Sequence, residues 1–265
     1  MRQITEADRL YGPVSLPKGP MKKSIAFLAT LALSGAALVG TSAVATAAPS
    51  ATAGVEGGDP DWADKLPAEG THVGLPEGMY RYTPEGEFLP VDLEAVELDA
   101  QPPEPASEGG MQPKLIDFSQ WAGCFVGNNS SLVFDNYFWM MQEPMQNITL
   151  RCGTGDADSG WGYKHIRAGH EADWQRQLDY LRTVSPGFFA DKSWDFVMTV
   201  SNDSAIYDPL YWKQKGSNTR CALGGNYWLD TNGNTSAPII GVTAWNTDMN
   251  GNGVISSYPT SQQRC

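Results

Sequence analysis

The stretch DWQRQLDYLRTV, residues 173–184, is the segment from which the fold is most readily predicted. Trp174, Leu178 and Leu181 lie four and then three positions apart, a spacing that puts all three side chains on one face of a helix. Residues 185–187, Ser-Pro-Gly, then end the helix, because proline and glycine interrupt helical hydrogen bonding. We therefore predict one amphipathic helix here.

Apolar runs of the kind found in β-strands follow this helix. Every second residue of 194–200 is apolar, which is the pattern of a half-buried strand, and Asn-Gly pairs at 232–233 and 250–251 predict hairpin turns. Further runs lie at residues 206–207, 227–229, 239–245 and 254–258, while two earlier runs, at 132–134 and 137–141, fit either a strand or a buried helix. We expect an α+β domain with an N-terminal helical segment packed on a C-terminal antiparallel β-sheet.

The cysteines all lie in the C-terminal part of the chain, at Cys124, Cys152, Cys221 and Cys265. An even number of cysteines predicts two disulfides in a chain that folds outside the reducing cytoplasm, although four cysteines allow three pairings. We favour Cys124–Cys152 with Cys221–Cys265, because these pairings close the shorter loops. A zinc site is the weaker alternative, because no two cysteines have the C-x-x-C spacing.

A segment near the start of the chain has the pattern of a secretory signal peptide. Two lysines at 22–23 precede an apolar run over residues 25–39, and residues 45–47, Ala-Thr-Ala, match the small-x-small cleavage pattern. The run is too short for a membrane anchor. We expect residues 1–47 to comprise an upstream stretch and a signal peptide that is cleaved near Ala47, so that the mature protein is secreted.

The formal net charge of the chain is −12, and residues 48–110 supply almost all of it, with 14 acidic and 2 basic side chains. This Pro/Gly-rich segment has too little apolar surface to offset the entropy lost on folding. We expect a disordered acidic linker or pro-region, either a spacer or a strip that covers a cationic site until it is removed. Residues 78–90 interrupt it and predict a short hairpin with a Pro-Glu-Gly turn. Residues 111–265 are long enough for one compact α+β domain.

Two histidines lie close together in the stretch GWGYKHIRAGH, residues 160–170. Because imidazole titrates near neutral pH, His165 and His170 can serve as general base and general acid in one reaction. The neighbouring Lys164 and Arg167 can bind phosphate and stabilise negative charge. The alternative is that both histidines are exposed structural residues beside the start of a helix.

The spacing of the two histidines restricts how they can meet. On a regular helix, residues five positions apart point about 140° apart, so His165 and His170 would not face one site. We therefore expect Gly169 to break the helix, with the regular helix beginning near Glu171. The H-x4-H spacing is not the H-E-x-x-H metal motif and no third ligand stands nearby, so we expect neither a metal nor a cofactor.

Two short motifs resemble those of the BECR ribonuclease superfamily, which includes barnase-like, bacterial EndoU-like and colicin-type RNases, many of them secreted toxins. Residues 163–166, Tyr-Lys-His-Ile, followed by His170, resemble its KHI…H signature. Residues 254–260, Val-Ile-Ser-Ser-Tyr-Pro-Thr, resemble its final strand, V-I-T-A-Y-P-T. The resemblance covers residues 150–261. Serines replace the usual Thr and Ala of that strand, and the two disulfides and an insertion around residues 201–225 depart from the common pattern.

The resemblance implies a secreted endoribonuclease toxin that cleaves RNA by metal-independent transesterification and leaves 2′,3′-cyclic phosphate ends. One of His165 and His170 would deprotonate the ribose 2′-OH, and the other would protonate the leaving 5′-oxygen. The resemblance also implies three further catalytic residues: Lys164 and Ser256, which would contact the phosphate, and Tyr258, which would stack on a base or position the phosphate. Arg167 and Thr260 would bind the substrate. RNA is then the substrate, an inhibitor or immunity protein is a possible partner, and we expect a monomer that binds no membrane.

Charge weighs mildly against nucleic-acid binding, because 11 basic and 14 acidic residues leave residues 111–265 with a net charge of −3. A local basic patch stays open as an alternative, formed by Lys164, Arg167, Lys213, Lys215 and Arg220. Two other functions compete with a nuclease. One is a non-catalytic exported binding or inhibitor module of the cell envelope, and the other is a hydrolase of another class that uses the same histidines.

Overall fold

The computed structural model describes residues 56–58, 61–93, 118–141, 144–248 and 253–265, all within one compact unit. The predicted signal peptide with its cleavage site, residues 94–110 of the predicted linker and the Asn-Gly turn at 250–251 lie outside the described residues. Among the helices that are described, none is long and apolar enough to cross a membrane.

A large, mainly antiparallel sheet forms the framework. Its strands, together with a two-stranded ribbon of β6 and β7, are β1 (Glu56–Gly58), β2 (Gly78–Tyr82), β3 (Phe88–Pro90), β4 (Val133–Trp139), β5 (Gln146–Arg151), β6 (Thr154–Gly155), β7 (Gly160–Trp161), β8 (Tyr211–Lys215), β9 (Thr219–Leu229), β10 (Ile239–Asn246) and β11 (Gly253–Pro259). The strand order is β1-β8-β9-β10-β11-β5-β4, and the β2–β3 hairpin pairs with the second half of β9. The contact of β11 with β5 is parallel and is made through Gly253 and Thr149. The sheet and the helices confirm the predicted α+β class.

The helices are α1 (Phe118–Trp121), which continues as a π-helical turn over Ala122–Val126, α2 (Gly162–Val184), α3 (Pro186–Phe189) and α4 (Trp194–Tyr207), and a 3₁₀ turn spans Trp62–Lys65. The helix predicted over residues 173–184 is confirmed as the second half of α2. Trp174, Leu178 and Leu181 are all fully buried, as their spacing predicts. Their burial fixes α2 against the sheet, where Trp174 Nε1 donates a hydrogen bond to the Ser257 carbonyl of β11 at 3.1 Å.

The alternating run at residues 194–200 is helical, so its prediction as a strand is wrong. It forms the first half of α4, and all seven of its residues are buried, including the intervening Asp195, Val197 and Thr199. This half of α4 packs against α2 and against strands β4, β9 and β10, so it is buried on every side and needs no amphipathic period. The apolar residue at every second position of 194–200 therefore does not indicate a strand.

Side chains alternate between two cores along β9. Ala222 and Trp228 face the first core, which lies between the sheet and helices α2 and α4. Cys221, Leu223 and Tyr227 face the second core, on the opposite side of the sheet. Because both faces of β9 are covered, almost every residue of this strand is buried.

Residues 61–93 cover the second core, so the predicted linker is folded over this range. The predicted hairpin is confirmed as β2 and β3, and β2 pairs with β9. Trp62 and Tyr82 are only 4% and 6% exposed within the second core. The prediction of disorder is wrong for residues 61–93, because their few aromatic side chains bury apolar surface that the average composition of residues 48–110 conceals.

An ion pair also joins this N-terminal segment to the helical side. Arg81 of β2 contacts the Asp203 carboxylate of α4 at 2.7 Å, and its guanidinium lies 4.7 Å from the Tyr207 ring centre. Desolvation raises the pKa of Asp203, and the nearby Arg81 charge acts in the opposite direction. The predicted boundary at residues 110–111 therefore does not separate two independent parts.

The two favoured disulfides are confirmed. Cys124 pairs with Cys152, which joins the π-helical turn to the segment after β5. Cys221 pairs with Cys265, which fastens the last residue to β9. Both bridges lie in the body that carries the histidines, and the first holds the chain just before the β6–β7 ribbon that leads into α2.

Candidate active site

A tight backbone approach sets the start of α2. Gly162, its first residue, has φ of +76°, and a β-carbon there would lie 2.6 Å from the carbonyl oxygen of Arg151. Only glycine fits this combination of left-handed backbone and close contact. The β6–β7 ribbon thus turns directly into the helix, and its connecting loop, residues 156–159, lies beside the first turns of α2.

His165 is oriented by that loop. Its Nδ1 lies 2.7 Å from the backbone carbonyl oxygen of Asp156. Because a carbonyl oxygen only accepts hydrogen bonds, Nδ1 carries the hydrogen, and in the neutral ring the lone pair is on Nε2. His165 therefore presents Nε2 as its reactive atom.

The Asp156 carboxylate holds the loop in shape. Its Oδ1 accepts hydrogen bonds from the backbone N–H groups of Asp158 and Ser159, both at 3.0 Å. These bonds, that of Ser159 first, favour the ionised form and lower the pKa of Asp156. The side chain of Asp156 thus fixes the carbonyl group that orients His165.

His170 is held between a carboxylate and an aromatic ring. Its Nδ1 lies 3.4 Å from Oδ2 of Asp173, and its ring centre lies 4.9 Å from that of Tyr258 at an interplanar angle of 32°. The other oxygen of Asp173 accepts a hydrogen bond from Arg176. Asp173 thus binds the imidazole on its Nδ1 side, so that Nε2 is again the atom available for proton transfer.

The two imidazoles meet although the helix between them is unbroken. Their ring centres are 6.1 Å apart and the rings are nearly perpendicular. The prediction that Gly169 breaks the helix is wrong, since α2 runs without interruption from Gly162. The side chains, each with two rotatable bonds, span the angle between their backbone positions. The loop packs against Gly169, where a β-carbon would lie 3.4 Å from the Ala157 carbonyl oxygen, an ordinary contact distance.

Lys164 and Arg167 both lie against the ring of Phe125. Lys164 Nζ is 5.7 Å and the Arg167 guanidinium carbon 4.9 Å from the centre of the Phe125 ring. Lys164 donates a hydrogen bond to Asn128 Oδ1 at 2.6 Å, and Arg167 pairs with Glu171 at 3.1 Å. Lys164 and Arg167 are three positions apart on the helix, so their side chains point only about 60° from each other and reach the same aromatic ring.

The final strand brings Tyr258 to the site and places Ser256 on the same face. Ser256 pairs across from Ala244 and Tyr258 from Val242, so both side chains lie on the face of the second core. The Ser257 side chain points to the opposite face and is buried, and the Ser257 backbone carbonyl accepts the hydrogen bond from Trp174. Of the residues predicted on this strand, Tyr258 contacts an imidazole directly, and Ser256 stands two residues before it.

The remaining predicted cations do not converge on the imidazoles. Lys213 of β8 pairs with Glu56 at 2.5 Å, which raises the pKa of Lys213 and lowers that of Glu56. Lys215 also lies on β8, and Arg220 on β9 is buried. Strands in a sheet are about 4.8 Å apart, so β8 lies roughly 14 Å from β11 in the strand order.

Sequence reasoning missed three residues that organise the site, namely Asp156, Asp173 and Arg176. A usable signal exists for the last two, because Asp173 follows His170 by three positions and Arg176 follows Asp173 by three, the spacing of neighbours on a helix. Asp156 acts through its backbone carbonyl, which no sequence pattern reveals. Within the described part of the chain, no cluster of His, Cys, Asp and Glu side chains has the arrangement of a metal site.

No protein-family profile, no curated protein and no solved structure matches this chain.

Proposed function

We propose that this protein is a secreted endoribonuclease that cleaves RNA by metal-independent transesterification. The observation that carries the proposal is the pairing of two imidazoles, each held through Nδ1, with ring centres 6.1 Å apart. One neutral imidazole with a free Nε2 lone pair and one protonated imidazole are the general base and the general acid that this reaction needs. Either ring suits either role, because both present the same atom.

The reaction proceeds in one displacement step. Nε2 of one imidazole takes the proton of the ribose 2′-OH, and the 2′-oxygen attacks the adjacent phosphorus. The bond from phosphorus to the 5′-oxygen breaks, and the protonated Nε2 of the other imidazole gives its proton to that oxygen. The products are a 2′,3′-cyclic phosphate and a free 5′-OH, and exchange with water restores both imidazoles.

Residues around the imidazoles support this chemistry. The ring of Tyr258 packs against the His170 ring. In this proposal the Tyr258 ring stacks on a base of the RNA or positions its phosphate. Arg176 is the cation bound to Asp173 and can stabilise negative charge on the phosphate group. In this proposal Arg176 takes the part that the sequence motif gave to Lys164 and Arg167.

The proposed secretion rests on the signal-peptide pattern and agrees with the two disulfides, which form in oxidising compartments. An RNase released in this way acts on RNA outside its producer, as a toxin does when it reaches a neighbouring cell. An inhibitor or immunity protein that covers the His165–His170 site is then the expected protein partner.

The test is RNA cleavage by the secreted protein with its disulfides intact, in the presence of EDTA. We expect His165→Ala and His170→Ala each to lower the rate of cleavage by about 10² or more, the usual contribution of a general acid or base. His72→Ala is the matched control, because His72 lies in the N-terminal segment, where its backbone bridges Asn234. Its rate should equal that of the wild type.

Two other results would identify a competing function. A folded, disulfide-bonded protein that cleaves no RNA contradicts the proposal and favours a non-catalytic binding or inhibitor module. Cleavage that requires an added metal ion favours a hydrolase of another class.

A further inference from the structure

The first disulfide, Cys124–Cys152, contacts the first turn of α2. The backbone carbonyl of Cys152 accepts a hydrogen bond from the N–H of Lys164 at 2.9 Å. The next residue, Gly153, has φ of +70°, and a β-carbon there would lie 1.8 Å from the carbonyl oxygen of Trp161. The segment after β5 and the start of α2 therefore pack backbone against backbone, and a shift of Cys152 would displace the turn that carries the first imidazole.

The other end of this bridge holds the π-helical turn over Ala122–Val126. This turn has only five residues, and a helix of one turn is not stable by itself. Cys124 ties the turn to Cys152, which lies 28 positions further along the chain. The ring of Phe125, the residue after Cys124, is the surface against which Lys164 lies. The bridge therefore joins two parts of the chain that both contact the start of α2.

The two disulfides differ in how far solvent reaches their sulfur atoms. Cys124 and Cys152 are both 0% exposed, whereas Cys221 is 2% exposed and Cys265, the last residue, is only half-buried. Exchange between thiols and disulfides requires a thiolate to attack one of the two sulfur atoms, so its rate depends on access. A reductant can thus reach the second bridge through Cys265, but it reaches the first bridge only after local unfolding.

We propose that Cys124–Cys152 is a one-way redox latch for the His165–His170 site. While both cysteines are thiols, the start of α2 is not held and the two imidazoles do not pair. When the bridge forms, the two thiols give up two protons and two electrons, and a disulfide of a thiol–disulfide oxidoreductase takes them and becomes two thiols. The new bridge is buried in the fold and then survives in reducing surroundings.

Such a latch suits a nuclease that is made in one compartment and acts in another. Before export the chain is in a reducing compartment, where its cysteines are thiols, so it would not cleave the RNA of its producer. The exported protein would stay active in the reducing cytoplasm of a neighbouring cell, because the first bridge is shielded. The inference rests on the proposed function only for this role, and the latch itself is measured without RNA.

Hydrogen–deuterium exchange of the secreted protein, followed by mass spectrometry, tests whether the bridge holds the site. Cys124→Ala combined with Cys152→Ala should raise the exchange rate of residues 160–170 by about tenfold or more, because local opening becomes easier, while the second half of α2 stays protected. Cys221→Ala combined with Cys265→Ala is the matched control and should leave both segments unchanged. Unchanged exchange of residues 160–170 in the first variant overturns the latch. Loss of protection throughout that variant also overturns it, because the bridge would then serve the whole fold.

Alkylation of the native wild-type protein in reduced glutathione tests whether the bridge is shielded, and it does not depend on the folding of any variant. We expect Cys265 to be labelled at least about tenfold faster than Cys124 or Cys152, because labelling requires an accessible thiolate. Exchange of residues 160–170 should stay slow while only the second bridge is open. Labelling of Cys124 and Cys152 at the rate of Cys265, or faster, overturns the latch.

The RNA assay then separates this inference from the proposed function. Cys124→Ala combined with Cys152→Ala should lower the rate of RNA cleavage by about 10² or more, as the loss of one imidazole does. Undiminished cleavage by this variant rejects the latch and retains the nuclease. A protein that shows the expected exchange and alkylation but cleaves no RNA retains the latch and rejects the nuclease.

Discussion

At the scale of single residues, His165 and His170 differ in what binds their Nδ1 atoms. His165 faces the neutral carbonyl group of Asp156, which orients the ring, whereas His170 faces the Asp173 carboxylate, which also offsets the charge of an imidazolium. Both contacts favour the hydrogen on Nδ1 in the neutral ring. The site thus depends on two aspartates that do not touch the reacting phosphate.

Replacement of Asp173 tests its part in orienting His170. Asp173→Asn keeps the shape of the side chain but removes the charge, and we expect the rate of RNA cleavage to fall by about 10- to 100-fold with little change in melting temperature. Asp179→Asn is the matched control, since Asp179 lies on the same helix and pairs with Arg182 on the exposed side. Equal rates for the two variants would show that Asp173 has no role in the reaction.

The loop of Asp156 has its own pH dependence. Hydrogen bonds from Ser159 and Asp158 lower the pKa of Asp156 from its ordinary value of 3.8. Because the folded-state pKa is depressed, the contribution to stability is present above the unfolded-state pKa and is lost as the pH falls through the folded-state value. We expect NMR titration of the carboxyl carbon to give a midpoint below 3.8, and a midpoint at or above 3.8 would contradict the loop geometry.

At the scale of elements, α2 is the part that decides the geometry of the site. Its buried face was predictable from Trp174, Leu178 and Leu181, because an amphipathic period survives when only one face of a helix is buried. Its first three turns were not predicted, because Gly169 suggests a break in the sequence but lies inside an unbroken helix in the structure. The same limit applies to α4, because the burial of its first half on every side removes the helical period.

Two glycine substitutions in α2 should have opposite effects on stability. Gly169→Ala should raise the free energy of unfolding by about 0.5–1 kcal/mol, because alanine favours a helix interior and its β-carbon meets Ala157 at ordinary contact distance. Gly162→Ala should lower it by about 1–2 kcal/mol or more, because φ is positive there and the Arg151 carbonyl lies too close. Urea denaturation measures both free energies of unfolding. Destabilisation by Gly169→Ala would contradict an unbroken α2 and favour the helix break that the sequence predicts at Gly169.

At the scale of the whole molecule, residues 61–93 belong to the folded body. The strand-rich C-terminal half, its two disulfides and the β2–β3 hairpin were predictable, because each depends on a local pattern or on cysteine spacing. The attachment of residues 61–93 to β9 was not, since it depends on long-range pairing and on the second face of the sheet. From the average composition of residues 48–110, residues 61–93 are predicted to be acidic and disordered.

Trp62 tests whether this segment is a linker or part of the fold. Its side chain is 4% exposed and its Nε1 donates a hydrogen bond to the Gln263 carbonyl at 2.9 Å. We expect Trp62→Ala to lower the free energy of unfolding by about 3 kcal/mol or more, as for other buried aromatic residues. Leu75→Ala, at a residue that is 37% exposed, is the control. Equal denaturation midpoints for the two variants would show that residues 61–93 do not stabilise the domain.

The central claim is that His165 and His170 together transfer the protons of an RNA transesterification. ³¹P NMR of RNA digested by the secreted protein in EDTA tests it most directly, because the cyclic phosphate has a resonance distinct from that of a linear phosphate monoester. We expect the 2′,3′-cyclic phosphate signal to grow with the wild-type protein and to be absent over the same time with His165→Ala or His170→Ala. Linear phosphate ends as the first product, or an undiminished cyclic signal with either variant, would contradict the account.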